Sequence, residues 1–172
     1  GITIKEPKDF VGKKVGAPGL NAFLHVLFVK WLVEKGVDPK GVNFVEVTFP
    51  TMSDIIKSGG VDAVLTAEPL VTRMTNAGIG SVGARYAAEL ARTDPIIFYA
   101  ASREWADKNA ATIKKFRDAI TEAAAIVNND REKASISISK FTKQPIELVK
   151  ATPPNRSEPS LKPEQLAWWI EV

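Results

Sequence analysis

The sequence contains no cysteine, which excludes a disulfide framework, thiol chemistry and cysteine-ligated zinc or iron–sulfur sites. Its single histidine, His25, leaves too few ligands for a metal centre. Net charge is also scarce. Lys and Arg number 23 against 20 Asp and Glu, for a balance of +3, too small an excess to imply a nucleic-acid partner. No stretch approaches the ~20 apolar residues of a membrane-crossing helix. The longest apolar-rich segment, Ala22 to Val33, is broken by His25 and Lys30. What is present is ordinary for a globular chain, with 45% hydrophobic and 25% charged residues. A chain of 172 residues buries roughly 70% of its unfolded surface, so a core is expected. Absence of cysteine also fits an exported bacterial protein.

The first two-thirds alternate strand and helix patterns. Lys14-Val15-Gly16-Ala17 predicts a strand, and a nearly all-apolar helix follows from about Asn21 to Lys35, stopped by Gly36. Val42 to Phe49 predicts a second strand. Thr51 to Asp54 has capping-box spacing ahead of a helix carrying Ile55 and Ile56. Val61 to Thr66 predicts a third strand, and Pro69 suits the first turn of the helix that ends at Gly78. Strands separated by single helices imply βαβ crossovers and a parallel sheet.

The pattern changes after Arg92. Pro95 to Ala101 predicts one buried strand, and helices follow. Ser102, Asn109 and Asp130 are candidate caps, and Pro145 and Pro163 open further helices. Pro153, Pro154, Pro159 and Pro163 enclose a stiff connection. Ile113, Phe116, Ile120, Ala124 and Val127 share one helical stripe. Helices of this kind cannot cover one another's apolar faces and want a sheet. The expectation is that this sheet lies before Gly1 or on another chain.

Several motifs bear on chemistry. Gly78-Ile-Gly80-Ser-Val-Gly83 matches a dinucleotide fingerprint literally, but it follows a helix pattern where a strand is required. Pro18 to Ala22 is more informative, because it joins the carboxyl end of a strand to a helix start. Free N–H groups and the helix dipole favour an anion there, and Asn21 either caps the helix or turns toward a ligand. Thr66 and Glu68 share that sheet rim. Glu68 there either simply satisfies the dipole or accepts from a ligand donor. Phe98 or Tyr99 would line a cleft. His25, with no Ser-His-Asp spacing around it, is expected to be a structural histidine.

The order of these motifs resembles a known family. Asp9 to Gly19, Gly36-Val37-Asp38-Pro39, Gly59 to Ala63 and Ala67-Glu68-Pro69, with the later Arg103 to Asn109 and Leu161 to Leu166, are similar to the SsuA/THI5-like (NMT1-like) solute-binding proteins of nitrate/sulfonate/taurine ABC importers. The resemblance implies an α/β fold, periplasmic binding protein type II-like. Residues 11–93 would form a parallel-sheet, Rossmann-like second lobe. Residues 1–10 and 94–172 would supply the crossover and the helix-rich part of a first lobe that begins before Gly1. It further implies a non-catalytic, cofactor-free and metal-free monomer, periplasmic or lipid-anchored. That protein would hand a small anionic solute from an interlobe cleft to a membrane permease. Carried over by position, Gly19, Leu20, Asn21 and Ala22 match the loop and helix start that meet the ligand's anionic end, and Glu68 a cleft position that varies with ligand; Thr66 and Tyr99 join the expected ligand-binding set by their own placement. Sulfonate binders of the family carry small hydroxyl residues where this chain has Leu20-Asn21-Ala22. A pyrimidine-synthesising enzyme using His25, lacking that group's cysteine cluster, and a sensory ligand-binding domain are the alternatives.

Overall fold

Three short parallel strands order the first part of the chain. The computed structural model describes residues 3–90, 97–152 and 155–171, without the side chains of Trp168 and Glu171. Strand β1 (Lys14–Ala17) is central, flanked by β2 (Asn43–Glu46) and β3 (Ala63–Val64). Val15 lies opposite Phe44 and Ala63, and Gly16 opposite Val45 and Val64. Successive side chains alternate between faces, and the neighbours on each face follow. Phe44 meets helix α1 (Phe23–Glu34), its ring 4.4 Å from His25 and 6.1 Å from Phe28. Val45 and Val64 face the other way, into a cluster of Val47, Met52 and Val61 that Ile55 and Ile56 of α2 (Met52–Lys57) complete. The two helices therefore cover opposite faces of the sheet.

Gly16 makes this layering possible. A Cβ there would sit 2.8 Å from Val47 Cγ2 and 3.2 Å from Val64 Cγ1, inside van der Waals contact. On the α1 face an aromatic cluster forms the core. Phe28 packs against Phe10 at 4.9 Å, Tyr86 at 5.3 Å and Trp31 at 5.4 Å. Fully burying a side chain such as Phe28 contributes roughly 1.5–3 kcal/mol. The Trp31 indole donates to Glu89 Oε2 (2.9 Å) on helix α4 (Tyr86–Glu89). That hydrogen bond, aided by Lys35 at 3.3 Å, holds the Glu89 carboxyl below its usual range.

Element limits depart from expectation where local chemistry intervenes. Helix α1 begins at Phe23 because Asn21 takes a left-handed φ of 61°. Strand β2 stops at Glu46, since Phe49–Thr51 winds into a 3-10 turn. The Thr51 capping box does not form, and its hydroxyl donates to the Thr48 carbonyl instead. Strand β3 is only two residues long. Helix α3 (Leu70–Asn76) ends before Gly78 at φ 64°, so the first glycine of the Gly78–Gly83 motif is a helix stop, and no strand precedes the motif.

The chain divides into two compact units, Gly1–Thr93 and Asp94–Glu171. Among its described residues the second is helical: α5 (Arg103–Lys108), α6 (Ala110–Asn129), α7 (Arg131–Thr142), α8 (Ile146–Ala151) and α9 (Glu164–Glu171). Ser102 caps α5 by accepting from the Trp105 amide, and Asp130 caps α7 from Lys133. Asn109 stands at the N-cap of α6 but spends its amide on the Trp105 carbonyl. The Arg131 guanidinium donates to the Val149, Lys150 and Thr152 carbonyls, which ties α7 to the end of α8. The expected strand at 95–101 is not seen over Ile97–Ala101. That segment is irregular and exposed, because no neighbouring strand pairs with it among the described residues; Pro95 and Ile96 lie outside them. Pro153 and Pro154 of the expected stiff connection also lie outside them. Among the described residues of this unit, the buried apolar side chains are small (Ala124, Ala134 and Val149), while Phe116 and Phe141 are 45% and 88% exposed.

Replacing Gly16 by alanine is expected to destabilise the fold by about 1–3 kcal/mol, because the added methyl must displace Val47. Urea unfolding followed by tryptophan fluorescence checks this. An unchanged midpoint would show that the sheet accommodates the methyl.

Candidate functional site

With strand order β2-β1-β3, the chain leaves β1 toward one side and returns after β2 to the other. The carboxyl ends of β1 and β3 therefore flank the point where the order reverses, the place where open parallel sheets bind ligands. Two segments leave the sheet there: residues 18–22 after β1 and 65–69 after β3. Residues 46–51 leave β2 along the same edge. The ladder continues just past the strands, with Leu65 N–H donating to the Gly16 carbonyl (2.7 Å) and Val47 N–H to Ala17 (2.8 Å).

Of the expected site residues, Gly19, Leu20, Asn21, Ala22, Thr66 and Glu68 stand on this one rim. Tyr99 belongs to the second unit, where it is 74% exposed and meets Phe116 edge-on at 5.0 Å. The loop differs from the free cradle anticipated around Asn21. Leu20 N–H donates to Glu46 Oε1 at 3.1 Å, and Asn21 N–H to His25 Nδ1 at 3.0 Å. Ala22, not Asn21, is the N-cap of α1, and it carries no side-chain cap bond. Glu68 accepts from Thr72 N–H at 3.0 Å, satisfying the first turn of α3.

Sequence reasoning missed Glu46 altogether. Its place as the last residue of β2, on the strand next to β1, was the available signal, but the second strand was expected to run on to Phe49. His25 is tied into the fold on both sides of its ring. Its Nδ1 is occupied, its ring packs on Phe44, and burial holds its imidazole below the ordinary 6.5. Between β1 and the end of α3, three buried polar atoms have no hydrogen-bond partner among the described residues: Thr66 Oγ1 on the rim, His25 Nε2 in α1 and Ser53 Oγ in α2. All three lie on stretches that follow the carboxyl ends of the strands, and buried groups left this way need an explanation. No cluster of His, Asp or Glu able to hold a metal occurs among the described residues.

Comparison with known proteins agrees with this topology. The model of the NMT1-like family matches residues 4–139. The periplasmic aliphatic sulphonate-binding protein SsuA of Escherichia coli superposes with a TM-score of 0.78 at 24% identity, over 98% of this chain and 54% of its own. The alkanesulfonate-binding protein SsuA of Xanthomonas axonopodis pv. citri, solved with MOPS bound, gives 0.74 at 16% identity, over 96% and 57%. The chain thus spans little more than half the length of either protein, and it shares their α/β fold of the periplasmic binding type. No curated protein matches its sequence.

The His25 contact has a pH signature. Because folding disfavours the imidazolium, the unfolded chain takes up this proton first as pH falls below about 6.5, and stability declines in that window. Protonation also removes the acceptor that holds Asn21 N–H. Urea midpoints at about pH 7.5 and about pH 5.5 are expected to fall less in His25→Gln than in the wild type. Equal slopes would contradict the assignment.

Proposed function

From membership of the NMT1-like family, to which the chain belongs, we propose that the protein is the solute-binding component of an ABC importer. It captures a small organic solute with an acidic group and delivers it to a membrane permease, either from the periplasm or from a lipid-anchored extracellular position. The solute's acid lies against the first turn of α1, near Asn21, where the positive end of a 12-residue helix faces outward. Thr66 and Glu68 then meet its remaining polar groups. In this reading residues 11–93 are the second lobe of a two-lobe binder, and residues 1–10 and 94–172 supply the crossover and the helix-rich part of the first. The protein acts as a monomer.

The observation that carries the reading is the convergence of residues 18–22 and 65–69 at the reversal point of the sheet. The orphaned Thr66 hydroxyl on that rim adds to it. The two sulfonate-binding structures support it as analogy of fold. An enzymatic role through His25 lacks comparable support, because Nδ1 is engaged and Nε2 is closed off from solvent.

Calorimetric titration of the whole encoded protein with ethanesulfonate, nitrate and simple carboxylates tests the proposal. At least one is expected to bind. Asn21→Val, which cannot comfortably hold a φ of 61°, is expected to weaken that binding at least about tenfold. Asn21→Gly keeps the loop conformation and is expected to stay within about threefold of wild type. Absence of any binding, or binding that Asn21→Val leaves untouched, would overturn the reading.

A further inference from the structure

The rim proposed to receive an acid is itself acidic. Residues 18–22, 46–51 and 65–69 contain Glu46 and Glu68 and no Lys, Arg or His, although the chain as a whole is positive by three charges. Glu46 matters more than its neighbour. The Glu68 carboxylate is committed to α3 through Thr72 N–H. The Glu46 carboxylate reaches from the end of β2 to the loop after β1 and accepts from Leu20 N–H, a backbone donor of that loop. A carboxylate of the protein thus occupies a place where an acid of the solute would bind.

We propose that Glu46 determines the charge type of the solute: it stands in for the acid at Leu20 N–H, and the site favours a solute carrying an ammonium beside its acid over a plain anion. The inference rests on the solute-capture reading above. An incoming acid has two ways to meet the loop. It binds beside Glu46, with two negative groups near one donor, or it displaces Glu46. A displaced Glu46 stays tethered at the end of β2, on the same rim. In both arrangements a negative charge remains next to the solute, and none of the three exit segments supplies a cation to offset it. A solute with its own ammonium does so. Such a pairing is open to water, since Glu46 is exposed, so its effect is modest and weakens with salt.

The Glu46→Gln variant isolates the charge. Glutamine keeps a side-chain oxygen able to accept from Leu20 N–H, so the loop remains held. Circular dichroism and the urea midpoint are expected to match the wild type. The probes are ethanesulfonate and 2-aminoethanesulfonate, which differ by one ammonium, with propionate and 3-aminopropionate as the carboxylate pair. In calorimetry at low salt, the wild-type protein is expected to prefer the amino compound of a pair by about two- to fivefold. In Glu46→Gln that ratio is expected to fall to about one through tighter binding of the plain anion. An equal wild-type affinity that Glu46→Gln leaves unchanged would overturn the role of Glu46 while leaving solute capture standing. A preference that disappears in Glu68→Gln and survives in Glu46→Gln would overturn it equally. Failure of all four probes to bind either protein would overturn both this inference and the reading beneath it.

Discussion

The arrangement depends on one close approach. Strand β1 can lie between two parallel neighbours, with Val47 and Val64 pressed against it, because Gly16 presents no side chain at that level. That position puts β1 between β2 and β3, at the point where the strand order reverses. The alternation of Phe44 and Val45 on β2 then sends one side chain to α1 and the next to the α2 cluster. Covering both faces buries the sheet and leaves only its edges and ends for other work. The carboxyl end is where three segments leave together, so the site follows from the topology before any single side chain is considered.

At that end, electrostatics is local. A balance of +3 spread over the chain exerts little directed force. In the proposed reading, a solute would meet the first turn of α1, the two carboxylates on the rim and the backbone donors they engage. His25 and Glu46 each hold one N–H of the 18–22 loop. These two bonds define the shape of the loop and engage two of its donors with side chains of β2 and α1. An acid that binds there exchanges one set of hydrogen bonds for another, and its net gain is the difference between them.

Much of this was legible in the residues. The strand at Lys14–Ala17, the helix stops at Gly36 and Gly78, and the caps at Ser102 and Asp130 follow from glycine and side-chain chemistry that act within a few positions. The limits of β2 and β3 were not legible. Apolar residues such as Val47 and Leu65 continue the pattern of a strand, yet after leaving it they pack in the core. The segment Ile97–Ala101 failed for the converse reason, since a β-rich composition makes no strand without a paired neighbour. On the rim, the positions of Gly19 to Ala22 and Glu68 followed from their place between strand and helix. Glu46 was not, because its partner Leu20 lies 26 positions away and only the strand pairing brings them together. The sparse burial of the second unit accords with its amphipathic helices, whose stripes read as faces in want of cover.

The central claim is that the rim around Asn21 and Glu68 holds a small acidic solute. Amide chemical-shift mapping of the isotopically labelled whole protein, titrated with 2-aminoethanesulfonate, tests it most directly. The account predicts saturable shifts concentrated at residues 19–22, at Glu46 and at 66–68. Saturable shifts confined to other parts of the protein, with those amides unmoved, would contradict it.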